Sequence, residues 1–343
     1  MSREREMLRE QLNTSVLQEY DLPAQKVKSV RGGYKVETAA GTKFLASTQA
    51  DPAALVLAYA AVDYLLKRGY KGTVPIELTK YGDPFVQIGP ACYYLSPWIK
   101  GKELQFERAS HLQEAVLVLA NMHLASRGFA PPPGVHSRER WLSWQQLFKE
   151  RLGELERCGE MAEEKDFSGG FHSLFAAELP HFVEQGLHAL EWLEQGAYFQ
   201  VAEEARRQGG VCHGDFAGRN LLRTRRKEIY VVNFEHCRLD LHLYDLARLM
   251  LRALPHHRWD GDLAFALLRL YQELVPLTPE EVTILLAYLY FPHQVWRLAR
   301  RCYLEEAPQE DAFSLLQELL LTEPLQREMV VYLAKQYHLN LKC

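Results

Sequence analysis

The feature that most constrains the fold is a change of hydrophobic period along the chain. Between residues 25 and 47 there are short runs rich in β-branched and aromatic residues, and glycine-containing turns separate them. This pattern is typical of an antiparallel meander. The three predicted strands are Gln25–Ser29, Tyr34–Thr38 and Thr42–Ser47. Beyond residue 98 the period is mostly that of helices.

A helix is predicted directly after the meander. Asp51 offers a side-chain acceptor at the cap, Pro52 suits the first turn, and Gly69 follows the expected end. Two further strand-like pieces lie near Pro75–Thr79 and Ala91–Ser96. The first hundred residues therefore predict a small sheet with one helix.

The segment Ser96-Pro97-Trp98 is predicted to be a hinge, because the sequence on its far side is mainly helical. One β interruption is expected there, a hairpin that joins Gly210–Asp215 to Ile229–Phe234. The predicted fold class is α+β, with a small antiparallel sheet lobe over residues 1–97 and a large helical lobe over residues 98–343.

Composition and charge exclude several classes of protein. The chain has 343 residues, of which 48% are hydrophobic and 24% charged, values that allow a sizeable buried core. The formal net charge is −4 and no long basic run occurs, so we expect neither nucleic acid nor an anionic membrane as a partner. The most apolar stretch, Val282–Phe291, is too short for a membrane span.

The cysteines and histidines predict no metal centre. The six cysteines form no C-x-x-C pair and are scattered, which is typical of reduced thiols without a disulfide framework. The spacing of His236, His242, His256 and His257 fits no standard zinc site. The charged start of the chain lacks the apolar core of a signal peptide, so we expect cytoplasmic synthesis.

The stretch that carries chemistry is H-G-D-x-x-x-x-N, from His213 to Asn220. Phosphoryl transfer needs a carboxylate that accepts the proton of the attacking hydroxyl, and oxygen ligands for Mg²⁺. Asp215 and Asn220 supply the first carboxylate and one amide oxygen at the right spacing. After the next strand comes Asn233, and then the sequence Y-D-L-A-R, which contains Asp245. The combination is much more specific than H-G-D alone.

These residues resemble the aminoglycoside-phosphotransferase/choline-kinase superfamily, and more narrowly its CotS-type bacterial spore-coat branch. The resemblance extends from about Tyr20 to Tyr303 and implies a protein-kinase-like two-lobe fold. The segments that carry it are Cys212–Phe216, Glu235–Asp240, Tyr244–Arg248, the hinge stretch Tyr93–Gly101, and Tyr288–Pro292 with Trp296.

The resemblance implies roles for individual residues. Catalysis is assigned to Asp215 and His213, and the metal site to Asn220 and Asn233. The nucleotide phosphates are expected near Gly32 and Gly33, although a tight β-turn also explains these glycines, and near the third-strand lysine position, which is Ala46 here. Asp245 is expected to hold the catalytic loop through backbone N–H groups, with Arg248 as a candidate partner.

Three departures from the family pattern bear on activity. The position expected to hold a metal-bridging aspartate is Asn233, which brings no charge to Mg²⁺. The expected lysine is replaced by Ala46, and Lys43 lies on the opposite face of an alternating strand. The following helix has no glutamate to pair with a lysine, and its internal acid is Asp63. Glu235 supplies a substitute charge or is a solvated turn residue; both readings stay open.

Two functions follow from these observations. The first is a kinase-fold protein of the spore coat or sporulating cell, with a degraded nucleotide site, a pseudokinase-like binding or structural role, and other coat proteins as partners. The second is an active phosphotransferase that uses ATP and Mg²⁺, with Asp215 as base, on a hydroxyl of a small molecule or a coat component. The three departures favour the first.

Overall fold

The computed structural model describes residues 10–12, 14–133, 138–164, 170–305, 307 and 311–341. Their strands are β1 Lys26–Val30, β2 Gly33–Thr38, β3 Gly41–Thr48, β4 Val86–Ile88, β5 Ala91–Pro97, β6 Gly101–Glu103, β7 Leu221–Thr224 and β8 Ile229–Val231. Their helices are α1 Pro52–Lys67, α2 Ala109–Ser126, α3 Trp144–Glu163, α4 Phe171–Gln195, α5 Tyr198–Gln208, α6 Leu243–Ala253, α7 Gly261–Gln272, α8 Pro279–Tyr290, α9 His293–Tyr303 and α10 Ala312–Gln336.

The N-terminal sheet has five strands in the order β1-β2-β3-β5-β4, and every neighbouring pair is antiparallel. The predicted meander is thereby confirmed. The segment Pro75–Thr79 is not a strand, because it contributes only an isolated bridge from Glu77 to Leu95. Strand β4 was not predicted; its three residues are too few to show an alternating pattern.

The two faces of the sheet bury different clusters because side chains alternate along each strand. Leu45 of β3 packs with Val36 and Leu95 on one face. Ala46, the next residue, packs on the other face with Leu55 of α1 and with two residues of β5, Cys92 and Tyr94. Ala46 therefore lies on the face of the sheet that α1 covers.

Helix α1 begins and ends where its capping residues predict. The Asp51 carboxylate accepts a hydrogen bond from the Ala53 N–H at 3.0 Å, and Pro52 occupies the first turn. Gly69, with a φ of +81°, follows the end of the helix. This prediction is confirmed.

The hairpin predicted in the helical part is formed by other residues. Strand β7 lies between β6 and β8 in a three-stranded antiparallel sheet. The segment Gly210–Asp215 is not a strand, and its only ladder contact in the described chain is a bridge from Cys212 to Arg238. Gly214 has a φ of +78°, which interrupts an extended strand immediately before Asp215.

Contacts divide the chain into two compact units. The first contains residues 1–105, 117–139 and 208–245, so the N-terminal sheet and the β6-β7-β8 sheet belong together. The second contains residues 106–116, 140–207 and 246–343, and a cluster that includes Phe175, Phe182 and Tyr303 forms part of its core. The predicted fold class, α+β with an antiparallel N-terminal sheet and a large helical part, is confirmed. The lobe boundary at residue 97 stays a prediction.

Candidate functional site

The loop of the H-G-D motif is shaped by a glycine that touches another backbone. A Cβ at Gly214 would lie 1.9 Å from the carbonyl oxygen of His236, so no other residue fits this loop conformation. A short 3-10 turn over Gly218–Asn220 then brings Asn220 back toward Asp215. The five-residue spacing of Asp215 and Asn220 is thus the length of one folded loop.

The carboxylate of Asp245 anchors this loop through the loop's backbone N–H groups. It accepts hydrogen bonds from the backbone N–H groups of His213, at 2.5 Å, and of Gly214, at 2.9 Å. The ring of His123 lies 3.3 Å from the same carboxylate. Burial raises the pKa of Asp245, but the interactions with His123, with the His213 ring and with the N–H groups outweigh burial and lower it overall. An ion pair with Arg248 is not formed, which corrects the candidate pairing.

His213 is fully buried and does not line the cavity described below. Its Nε2 lies 2.9 Å from the carbonyl oxygen of Val232, and its Nδ1 accepts the N–H of Asp215 at 3.2 Å. These bonds define a neutral ring that carries its proton on Nε2, and burial lowers its pKa accordingly. In this structure the ring therefore positions the loop, and the catalytic role expected for His213 stays a prediction.

The remaining polar side chains form one hydrogen-bonded chain. Arg219 donates to the Asp215 carboxylate at 2.5 Å, and the Asn220 amide donates to the same oxygen at 2.9 Å. The Asn233 amide N–H in turn donates to Asn220 Oδ1 at 2.9 Å. The structure thus brings Asp215, Asn220 and Asn233 together, as the motif spacing predicts.

Asn233 is held in an unusual backbone conformation at the end of the β7-β8 hairpin. Its φ and ψ are 66° and 62°, in the left-handed region that asparagine and aspartate tolerate better than other residues with side chains. The hairpin is fixed to the loop, since the Val232 N–H donates to the Asn220 carbonyl oxygen at 3.0 Å. Either an amide or a carboxylate is therefore acceptable to the backbone at position 233.

The residues present do not fit a magnesium ion. Mg²⁺ needs several converging oxygens in near-octahedral geometry and strongly prefers carboxylates. Asn233 turns an N–H group toward Asn220 Oδ1, so the only side-chain oxygen of Asn220 is already satisfied by a protein donor. Asn220 is 3% exposed and its amide nitrogen is also engaged. The predicted metal residues are adjacent, but the Asn233 amide donates to the Asn220 oxygen, and the Asn220 amide donates to Asp215.

Ala46, at the expected lysine position, is 3% exposed in the apolar cluster beside α1. Lys43 does not replace the lysine, because it forms an ion pair with Glu77 at 2.5 Å. It shares a strand face with Leu45, opposite Phe44, whose side chain lines the cavity. The sequence predicted that Lys43 could not replace this lysine without a shift of strand register. The observed register of β3 confirms that prediction.

Tyr94 and Glu235 connect the sheet to the loop, and sequence reasoning missed this pair. Tyr94 is the cross-strand partner of Ala46, and its hydroxyl donates to Glu235 Oε2 at 2.8 Å. Burial, and then the Glu235 carboxylate, raise the pKa of Tyr94 well above its usual value. One oxygen of Glu235 is thus held by Tyr94 while the residue lines the cavity, and its role as a substitute charge stays a prediction. The only sequence signal was the position of Tyr94 on a strand opposite Ala46.

The glycines of the first turn have unequal roles. A Cβ at Gly33 would lie 2.1 Å from the Leu45 carbonyl oxygen, so this glycine is required by the pairing of β2 with β3. Gly32, with a φ of +76°, lines the cavity. The geometry explains Gly33 as a turn residue and leaves the expected phosphate contact of Gly32 a proposal.

These side chains surround a cavity of about 460 Å³ within the first compact unit. Its polar lining includes Asp215, Arg219, Asn220, Asn233, Glu235 and Arg31. Its apolar lining includes Phe44 and Trp98, whose ring centroids are 6.3 Å apart. Arg219 was not singled out by the sequence, although it lies four residues after Asp215.

A second cluster has potential metal-ligand atoms within 4.8 Å of one another: His123, Cys212 and Asp245. All three are buried, and Cys212 donates to the carbonyl oxygen of Leu241 at 3.1 Å. Burial, and then Asp245, raise the pKa of Cys212 well above its usual value, so the thiol keeps its proton. Because the Asp245 carboxylate is used by the loop N–H groups, this cluster is structural.

Residues 13–329 match the family described as "Spore coat putative kinase YutH". The chain belongs to this family. It is also similar to Spore coat protein S of Bacillus subtilis (strain 168), with 26% identity over 307 residues, which are 87% of this chain and 86% of that protein. The predicted resemblance to the spore-coat branch is confirmed.

Solved structures confirm the kinase-like fold. An aminoglycoside phosphotransferase from Alicyclobacillus acidocaldarius superimposes with a TM-score of 0.82 at 22% identity, over 95% of this chain and 96% of that one. The amicoumacin kinase hAmiN, solved with AMP-PNP, Ca²⁺ and Ami, gives a TM-score of 0.56 at 12% identity, over 96% and 93%. Identities this low show the fold alone. Within the described residues, every helix is too short or too polar to cross a bilayer.

Proposed function

We propose that the chain is a kinase-fold protein of the spore coat or sporulating cell with a binding or structural role and a degraded nucleotide site. The observation that carries the proposal is the hydrogen bond from the Asn233 amide to Asn220 Oδ1. A carboxylate at position 233 would put two oxygens against each other and require a cation between them. The amide removes that requirement, so the loop is satisfied without a metal.

The sheet side of the cavity supports the same conclusion. A lysine that grips phosphates must project into the cavity, but position 46 holds a buried alanine. The nearest polar group of the adjacent strand, the Tyr94 hydroxyl, is committed to Glu235. The connection between sheet and loop is thus made by two protein side chains.

The setting comes from the relatives. Membership of a spore-coat family and similarity to Spore coat protein S support a location in the coat after cytoplasmic synthesis. Other coat proteins are the proposed partners, with neither nucleic acid nor membrane insertion involved.

One observation favours the second candidate, an active phosphotransferase. Asp215 lines the cavity, and its carboxylate is 15% exposed, so an acceptor hydroxyl could reach it. Its immediate neighbour is Arg219, whose guanidinium forms an ion pair with this carboxylate. The argument against this second function therefore concerns the groups that would bind the metal and the phosphates, and does not concern the catalytic base.

A thermal-shift titration with ATP, with and without Mg²⁺, tests the proposal. A ligand at 100-fold its dissociation constant adds about 2.7 kcal/mol of stability, which is a clear rise in melting temperature. We expect at most a small shift at saturating ATP and little effect of Mg²⁺. The double variant Ala46→Lys with Asn233→Asp should acquire a Mg²⁺-dependent shift.

The same assay gives the control and the opposing result. Asp215→Ala should leave nucleotide response nearly unchanged, since this carboxylate is placed to serve an acceptor hydroxyl. A strong Mg²⁺-dependent shift in the unmodified protein, with phosphotransfer abolished by Asp215→Ala, would establish the enzyme instead.

A further inference from the structure

A second cavity, of about 430 Å³, lies entirely within the second compact unit. It is surrounded by α6, α9 and α10 together with residues of α4. Its charged lining is dominated by four arginines: Arg248 and Arg252 of α6, and Arg297 and Arg301 of α9. None of these residues belongs to the site described above.

The arginines are arranged as two pairs, each four residues apart on its helix, so both members of a pair share a face. Like charges at this spacing destabilise a helix by about 0.2–0.5 kcal/mol per pair. The charges also oppose each other across the cavity: burial, and then Arg248, lower the pKa of Arg297. Repulsion among these arginines is unfavourable for folding. The stability of the protein therefore does not explain why they lie together.

The protein itself does not pair three of the four arginines. Among the residues that the structure describes, the side chains of Arg248, Arg297 and Arg301 make no hydrogen bond or ion pair. Two carboxylates belong to the same lining. Glu318 is exposed, and Glu323, whose Oε1 has no hydrogen-bond partner in the described chain, lies with its other oxygen 3.3 Å from the ring of His181. Four arginines therefore share the lining with two carboxylates, and three of the four have no protein partner among the described residues.

His293, which also lines the cavity, does not change this balance. Burial, and then the charge of Arg151, lower its pKa well below the usual value, so the ring is neutral. Its Nδ1 lies 2.7 Å from the guanidinium of Arg151 and its Nε2 lies 3.0 Å from the carbonyl oxygen of Tyr288. Both nitrogens are thus used within the protein.

Buried polar atoms of the lining also lack partners in the described chain. The Nε of Arg248 and the indole nitrogen of Trp259 are donors without an acceptor, and Trp259 is 3% exposed. Buried donors are almost always satisfied, and a bound acceptor would satisfy these. The acceptor Gln185 Oε1 is likewise unsatisfied, so a ligand with a hydroxyl or amine group would find a partner there.

The rest of the wall is apolar. Phe182, Leu251, Leu298 and Leu319 line the same volume. The size falls in the range typical of small-molecule sites, about 300–1,000 Å³, and such sites combine apolar walls with a few placed polar groups. An inorganic ion alone would leave these walls in contact with water.

We propose that this cavity binds a small organic oxyanion, a molecule with an apolar body that carries phosphate or carboxylate groups. The guanidinium fork matches both groups with two parallel hydrogen bonds, and it is less strongly hydrated than an ammonium. Arg248 and Arg297 hold the anionic group, and the apolar wall takes the body of the molecule. The second compact unit thus has a ligand site of its own.

The test uses the full chain and measures thermal shift and calorimetric binding at constant ionic strength. The probes are phenyl phosphate for the phosphate class and benzoate for the carboxylate class, against sodium chloride as reference. We expect saturable binding of one or both, and the stronger of the two identifies the class. Arg297→Gln and Arg248→Gln should each weaken that binding at least tenfold.

The variants also separate a binding role from a structural one. Because each removes a repelled charge, we expect the melting temperature without probe to stay the same or to rise. Arg300→Gln is the matched control: it lies on the same helix, but Arg300 is paired with Glu154 and Glu305, and probe binding should be retained. The proposal is overturned if neither probe binds saturably, or if Arg297→Gln binds as tightly as the unmodified protein.

Discussion

The side-chain amide of Asn233 donates a hydrogen bond of 2.9 Å to the side-chain oxygen of Asn220. In a site built for a cation, both positions would offer oxygens to the ion. Here the N–H group of Asn233 occupies the position beside Asn220 Oδ1 that a cation would have in such a site. The proposal that this loop does without a metal rests on that one hydrogen bond.

The first prediction concerns Asn233→Asp. Two acceptor oxygens would then face each other, and the lost hydrogen bond should lower the free energy of unfolding by about 1–3 kcal/mol in the presence of a chelator. Mg²⁺ or Ca²⁺ should restore part of that loss, because a cation satisfies both oxygens. Urea unfolding with chelator and with added Mg²⁺ measures the difference.

The matched control for this change is Asn233→Ala. It also removes the hydrogen bond, but it adds no carboxylate, so its stability should not respond to Mg²⁺. An equal response of both variants, or no response of Asn233→Asp, would contradict the interpretation of the closed loop.

The second prediction concerns the turn between β1 and β2. A Cβ at Gly33 would lie 2.1 Å from the Leu45 carbonyl oxygen and 2.9 Å from the Ala46 Cα. The paired strands would have to separate, so Gly33→Ala should cost about 3 kcal/mol. Gly41→Ala is the control, because Gly41 also has a positive φ, of +107°, but open space around it; it should cost about 1 kcal/mol. If both variants lose the same stability in thermal unfolding, the strands adjust to the added Cβ of Gly33→Ala and the prediction is contradicted.

The third prediction concerns Asp245→Asn. The new amide would turn an N–H group toward one of the N–H donors of His213 and Gly214, in a site without solvent. We expect a loss of about 3 kcal/mol in the free energy of unfolding. Asp63→Asn removes a partly exposed carboxylate paired with the exposed Lys67 and should cost less than about 0.5 kcal/mol. Chemical denaturation of both variants gives the comparison, and equal stabilities would refute the anchoring role.

The fourth prediction is a loss of stability between pH 7 and pH 5. His213 and His293 are buried, and burial lowers the pKa of each below the usual value. The unfolded chain binds protons at these rings below about pH 6.5 while the folded chain does not, so stability falls as the pH falls. A ring that is still neutral at pH 5 contributes about 2 kcal/mol to that loss.

Urea unfolding at the two pH values measures the effect. His293→Gln should reduce the slope of stability against pH. His256→Gln should leave the slope unchanged, because that side chain is 46% exposed. Stability that stays constant or rises toward pH 5 would contradict the prediction.

The sequence by itself determined the features that depend on near neighbours. The alternation of the meander, the Asp51 cap and the helical periods predicted the elements, since backbone period and capping are local properties. The spacing of Asp215 and Asn220 predicted their convergence because a single short loop joins them. Even the departure at Asn233 was visible in the sequence, since it lies at the end of the hairpin that follows.

Only the tertiary structure decided which partners these side chains have. Tyr94 meets Glu235 across 141 residues of sequence, and Asn233 closes on Asn220 through the orientation of an amide, which no period encodes. The ring of His213 turns into the core because Val232 offers a carbonyl oxygen there. The arginines of α6 and α9 converge on one cavity because of the way their helices pack, and packing depends on contacts between residues that are distant in the chain.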